Sequence, residues 1–172
     1  MLILKRGVRD MVFAVIEGIL LCFTLLMICV VSIKNGPVGG VHYYEKDVQD
    51  RVVEMGLITE KEIRRNKSLS GIPFFVMMII VCPVMEFFLN KASGFMEGFI
   101  HLLIAYMICN LFDRLFIDWY WVGHTKAWII PGTEDLMPYI PRKALIRKWV
   151  SSMIMYPAFA ALLSYIFTKI VL

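Results

Sequence analysis

Two groups of residues in this chain have the types and spacing to do chemistry. The first is Asn110, Asp113, Arg114 and Asp118, followed closely by His124 and Lys126. Asn110, Arg114 and Asp118 recur at i, i+4 and i+8, so a helix carries them as one ladder with Asp113 beside it. Gly123 lets the chain bend, which would return His124 and Lys126 over that ladder, walled by Trp119, Trp121 and Trp128. In such a site Asp113 or Asp118 serves as base or metal ligand and His124 carries a proton near neutral pH, making these three the catalytic candidates. Arg114 and Lys126 would hold a phosphate or carboxylate, with the tryptophans as substrate-binding walls. The plainer alternative is an Arg114–Asp118 ion pair at a helix end, with His124 and Lys126 reaching into lipid headgroups. The sequence contains no HExxH or GxSxG motif and no nucleophile with an evident base.

The second group is Glu17, Glu86, Glu97 and His101. Each lies near one end of an apolar run, and at ~1.5 Å rise per residue all three carboxylates fall within roughly 10 Å of one membrane surface. Three helices contributing carboxylates and an imidazole at one depth form a candidate site for a divalent metal, the one cofactor suggested, or for relayed protons. Against this, Glu97 occupies a first helical turn, where the helix dipole favours an acid. Glu17 and Glu86 are shallow enough to reach headgroup water. His42, beside Tyr43 and Tyr44, has no partner in the sequence and reads as a loop residue.

The elements that must position these groups are membrane spans. Hydrophobic residues make up 59% of 172 positions and mean hydropathy is +0.71, beyond what one soluble core of this size hides. Four apolar runs, 11–33, 72–90, 95–117 and 150–171, reach the roughly 20 residues that cross a bilayer as helix. The expected fold is therefore all-α, a polytopic membrane protein of one membrane domain. Basic residues lie in the loops, suited to membrane lipid as partner and not to nucleic acid. Cys22, Cys29, Cys82 and Cys109 all sit in apolar runs without a CxxC, and read as small buried hydrophobes.

Residues 90–94 force the second and third spans into an antiparallel hairpin. The two larger loops then share the opposite side and hold twelve Lys and Arg, against five in the termini and short loop. The positive-inside rule places a cell-membrane protein with both large loops in the cytoplasm and both termini outside. Lys5, Arg6 and Arg9 against Lys34 pull the other way. Pro83 and Pro157 each free a carbonyl four residues back, which must find a partner inside the bundle. The small residues Ala158, Ala160, Ala161 and Ser164 permit close helix approach in the fourth span.

The first large loop, 41–70, predicts an interfacial or cytoplasmic helical hairpin. Val48, Val52 and Met55 have helical spacing, Gly56 is a stop, and Thr59-Glu60-Lys61-Glu62 is a capping box with Ile58 and Ile63 as hydrophobic staple. A second short helix should then run from about Glu60 toward Asn66. Residues 48–67 resemble the SHOCT-type short helical hairpin, which also centres on a Gly-hydrophobic-Ile-Thr turn followed by acids. That resemblance implies a contact or oligomerisation role. The second large loop, 118–149, holds all four tryptophans and should lie at the headgroup level.

Three functions fit these features. The leading one is a membrane-embedded binder or enzyme acting on an amphiphilic or lipid-like substrate at the cytoplasmic interface. The others are a small oligomeric transporter of protons or metal ions, and an accessory subunit docked on a larger membrane partner.

Overall fold

The computed structural model describes residues 2–171, and no strand occurs among them. Four helices are long and apolar enough to cross a membrane: α1 (Leu2–Ile33), α3 (Glu60–Leu89), α4 (Phe95–Val122) and α5 (Arg142–Val171). A short α2 (Lys46–Glu54) lies between the first two. α4 is central, packing α1 on one side and α5 on the other. α3 leans across the bundle. Its first half lies along α1 and its last turns meet α4 and α5. The outer surface is apolar, with Ile19, Phe23, Leu69, Leu89, Ile154 and Ile170 all more than half exposed.

Two glycines set how closely these helices approach. A Cβ on Gly18 of α1 would lie 2.9 Å from Ile108 Cβ and 3.1 Å from the Ala105 carbonyl of α4. A Cβ on Gly98 of α4 would lie 2.4 Å from the Phe87 ring and 3.0 Å from Ser164 Oγ. The small-residue face of α5 serves the same contact: Ala160 and Ser164 are fully buried, and Ser164 donates to the Phe95 carbonyl at 2.6 Å. Ala158, on another face, is exposed. This is the close packing that small residues permit.

Each long helix outruns its apolar run at one end: at the start of α1, α3 and α5 and at the end of α4. The second arm of the expected hairpin does not stop near Asn66. It is the beginning of α3, which continues through Pro73 into the apolar segment. Nothing between Asn66 and Ile72 is a strong enough breaker to separate the two. α4 runs beyond its apolar run to Val122, as expected of a helix that Gly123 ends, while α5 begins earlier than expected at Arg142, so the connecting loop is 123–141. The capping box at Thr59 and Glu62 is present on both sides, and Ile58 and Ile63 share one apolar cluster as a staple requires.

α3 also resolves the question of the proline. Turns at Met77–Val81 and Met85–Leu89 are widened, so that Cys82 N–H bonds the Met77 carbonyl five residues back. In this register Pro83 leaves the Met78 carbonyl without its amide, instead of the Ile79 carbonyl expected from α-helical geometry. Tyr106 Oη of α4 donates to Met78 O at 2.7 Å, with both residues buried. The two large loops form one cap over the bundle end. Val41, Tyr44, Val48 and Val52 from the first pack on Trp128, Ile130 and Tyr139 from the second. Tyr44 Oη donates to the Trp128 carbonyl at 2.8 Å, and Arg51–Asp135 and Arg147–Glu45 pairs tie the rim.

Tyr106→Phe should therefore strand the Met78 carbonyl and lower stability by about 1–3 kcal/mol, the usual cost of an unsatisfied buried acceptor. The thermal midpoint in detergent reads this. An unchanged midpoint would mean that the carbonyl has another donor.

Candidate functional site

The acidic end of α4 is a closed ion-pair network. Arg114 reaches both Asp113 and Asp118, and Lys148 of α5 donates to the two Asp118 oxygens at 3.1 and 3.2 Å. Two carboxylates meet two cations, so the group neutralises itself. His124 is elsewhere. Its Nδ1 bonds the Trp119 carbonyl at 2.6 Å, left open at the helix end, and its ring lies against Trp119 on the exposed side. Lys126 is exposed, Trp119 faces outward, and Trp121 is half-buried. Trp128 is fully buried at the centre of the cap, edge-on to Trp121 at 5.1 Å. Of the residues expected to converge here, the structure assembles Asp113, Arg114 and Asp118 and disperses His124, Lys126 and the tryptophans. Lys148 takes the place assigned to His124 and Lys126. The basic run leading into α5 was the available signal, because it must lie at the same bundle end as the acidic end of α4.

Deeper in the bundle lies the second group. His101 Nδ1 and Glu86 Oε1 are 2.7 Å apart, and Asn90 Nδ2 donates to Glu86 at 3.1 and 3.3 Å. Glu17 of α1 is fully buried and neither carboxylate oxygen has a hydrogen-bond partner among the described residues. It lies within electrostatic range of Glu86, Cys82 and Tyr106. Glu97 is turned to the helix start instead, accepting from Ser93 N at 2.6 Å and Ser93 Oγ at 2.5 Å. Among the described residues no three His, Cys, Asp or Glu side chains are grouped as metal ligands. Of the expected set of four, Glu86 and His101 are hydrogen-bonded, Glu17 lies within electrostatic range of Glu86, and Glu97 caps the start of α4 while staying within electrostatic range of His101. Asp10, one helical face with Glu17 and almost fully buried, is an addition; it lies in range of His101 and pairs with exposed Arg9. Seven residues separate Asp10 from Glu17, the spacing that could have revealed it. Asn110, further along α4, is also buried with neither amide atom bonded.

A third feature has no counterpart in the sequence reading. α1 and the start of α3 diverge to leave a cleft of about 760 Å³, lined by Lys34 and Arg65 at the cap end and by Phe23, Met27 and Leu69 toward the bundle middle. Ser70, in its wall, lies 2.9 Å from His42 Nε2, while His42 Nδ1 faces the Gly39 carbonyl at 3.2 Å. Nδ1 must carry the proton that Gly39 accepts, so Nε2 can only accept, and it competes with the Lys67 carbonyl at 3.1 Å for the single Ser70 hydroxyl proton. This has the geometry of a nucleophile and its base. However, burial pulls the His42 imidazole down to about 4. A base this weak barely draws a proton from a hydroxyl near pH 7, so the pair fixes Ser70 and does not activate it.

Comparisons with protein-family models, curated proteins and solved structures return no match.

His42 gives the cap a pH dependence of known sign. Its folded pKa is depressed below the ordinary 6.5, so its contribution is complete above about 6.5 and is lost as pH falls toward 4. The thermal midpoint of the wild type should fall more steeply between pH 7 and 4 than that of His42→Gln. Parallel curves would place the acid sensitivity elsewhere.

Proposed function

We propose that this chain is an integral membrane protein that binds and passes protons through the carboxylates inside its bundle. One observation carries the reading: Glu17 is fully buried among apolar helices with both carboxylate oxygens unpartnered. An ionised carboxylate in that setting costs several kcal/mol, so the residue requires a proton or a cation. Ionisable residues facing the interior of a bundle in lipid are the usual components of proton relays. Here the components are graded from the surface inward. Asp10 stands beside exposed Arg9, His101 and Glu86 share a short hydrogen bond, and Glu17 lies innermost. Asn110 and the α4 ion-pair group continue the polar face toward the cap.

The enzymatic alternative at the end of α4 is less well supported, because its three catalytic candidates are not together and its carboxylates are already neutralised. A four-helix bundle is thin for a complete pathway, which favours a homo-oligomer, and the SHOCT-like turn at 48–67 is the contact we assign to it. The charge distribution supports a cytoplasmic cap with both termini outside. In intact cells, single cysteines replacing exposed Ser68 and Glu134 should resist an impermeant thiol reagent. Rapid labelling of both reverses the orientation.

Proton passage is tested in proteoliposomes holding a pH-sensitive dye, with a potassium-diffusion potential imposed. Wild type should acidify the lumen faster than protein-free vesicles. Glu17→Gln, which keeps the shape and removes the ionisable group, should slow this roughly tenfold or more, as loss of a required proton carrier does. It should not lower the thermal midpoint, since no ion pair is broken. Equal rates for wild type and Glu17→Gln, or for wild type and empty vesicles, would reject the function.

A further inference from the structure

The cleft between α1 and α3 is separate from the proton-binding residues, and its chemistry changes along its length. From Lys34 to Phe23 is eleven residues of α1, or roughly 16 Å at the helical rise. At the cap end stand Lys34, Arg65 and the amide side chains of Asn35 and Asn66. Toward the middle the walls become Phe23, Met27 and Leu69, of which Phe23 and Leu69 are each 60% exposed. The polar floor is held in place by the cap. Ser70 is fixed by His42, and Ser32, bonded to the Ile28 carbonyl at 2.8 Å, lies 3.2 Å from Tyr43 Oη.

Charge decides what fits. Neither Lys34 nor Arg65 forms an ion pair within 4 Å among the described residues. Glu62, the acid nearest to Arg65 in sequence, lies within its electrostatic range but forms no ion pair with it, because the carboxylate is turned to the capping box at Thr59. The comparison is a smaller groove of about 380 Å³ between α3 and α5, lined by Arg114, Arg147 and Lys148. There each cation is already matched by Asp113, Asp118 or Glu45, leaving no charge for a ligand. Of these two grooves, the α1–α3 cleft is the one that joins cations without an ion-pair partner to an apolar trough on the outer surface of the bundle.

We propose that this cleft seats one anionic phospholipid of the surrounding bilayer, its phosphate on Lys34 and Arg65 and an acyl chain along Phe23, Met27 and Leu69. Asn35 and Asn66 supply neutral donors to the remaining phosphate oxygens, and the cap's hold on Ser70 and Ser32 keeps the headgroup seat open. Such a seat favours anionic over zwitterionic lipid, because both present a phosphate but the choline ammonium of the latter offsets it and is repelled by the two cations.

The test is native mass spectrometry of the detergent-solubilised protein titrated with phosphatidylglycerol or with phosphatidylcholine of the same chains. Phosphatidylglycerol should be retained at one molecule per chain, and Lys34→Gln combined with Arg65→Gln should weaken retention roughly tenfold or more. Arg142→Gln with Lys143→Gln, exposed cations outside the cleft, should leave it unchanged. Equal retention of the two lipids, undiminished retention by the Lys34/Arg65 variant, or equal loss in the Arg142/Lys143 variant overturns the assignment. Retention of oleate but not phosphatidylglycerol overturns it too, making the cleft a fatty-acid site. Glu17→Gln should retain phosphatidylglycerol like the wild type, so the lipid seat and the proton pathway stand or fall separately.

Discussion

Inside a bundle whose outer surface is apolar, each buried polar atom must be answered from another helix, and the architecture follows from how that is done. Tyr106 answers the Met78 carbonyl that Pro83 leaves open, which ties the widened middle of α3 to the centre of α4. Ser164 answers the Phe95 carbonyl and fastens α5 to the start of α4. His101 and Asn90 answer Glu86. These bonds need close backbones, and Gly18 and Gly98 supply the clearance on the two sides of α4. The side chains in these bonds are buried, so losing one partner leaves the other unsatisfied at its full desolvation cost.

Against that background the exceptions stand out. Among the described residues, single atoms of Asn90, Arg114, Trp128 and Thr168 are buried without partners, but Glu17 and Asn110 are the two side chains in which both polar atoms are. Both point to something the protein chain does not provide. An ionised Glu17 offers only acceptors and needs a donor or a cation, whereas a protonated one carries the missing hydrogen itself. Asn110 offers donors and an acceptor together, which suits a passing water. Burial of unsatisfied groups is destabilising, and proteins keep such groups chiefly where function needs them.

The cap works by different physics. It is an apolar cluster of ordinary soluble character, with Trp128 at its centre and tyrosine hydroxyls spent on backbone atoms. Its role is to join two loops that are distant in sequence and to hold the ends of α1, α3, α4 and α5 in one arrangement. The polar seat at Ser32 and Ser70 is a consequence, since the cap residues Tyr43 and His42 contact both serines.

The sequence by itself determined the number of long apolar helices, the hairpin at 90–94, the capping box at Thr59 and the need for a partner near Pro83. Each of these is a local matter of length, spacing or a missing amide. It also placed Asp113, Arg114 and Asp118 together, since one helix carries all three at neighbouring positions. The tertiary structure alone decided the rest. His124 was assigned by chain proximity, but a free carbonyl at the end of α4 captured it, and Lys148 arrived from 30 residues away. Trp128 carries the composition of an interfacial anchor and became a core residue, because the first loop brought Val41 and Tyr44 to cover it. Glu97 forms its hydrogen bonds with Ser93 at its own helix start and not with His101. His42 found Ser70 only when α3 ran back along α1. For Lys148, Trp128 and His42 the partner lay on another element, where pairing is fixed by packing and not by spacing along the chain, whereas His124 and Glu97 were taken by groups five and four residues away.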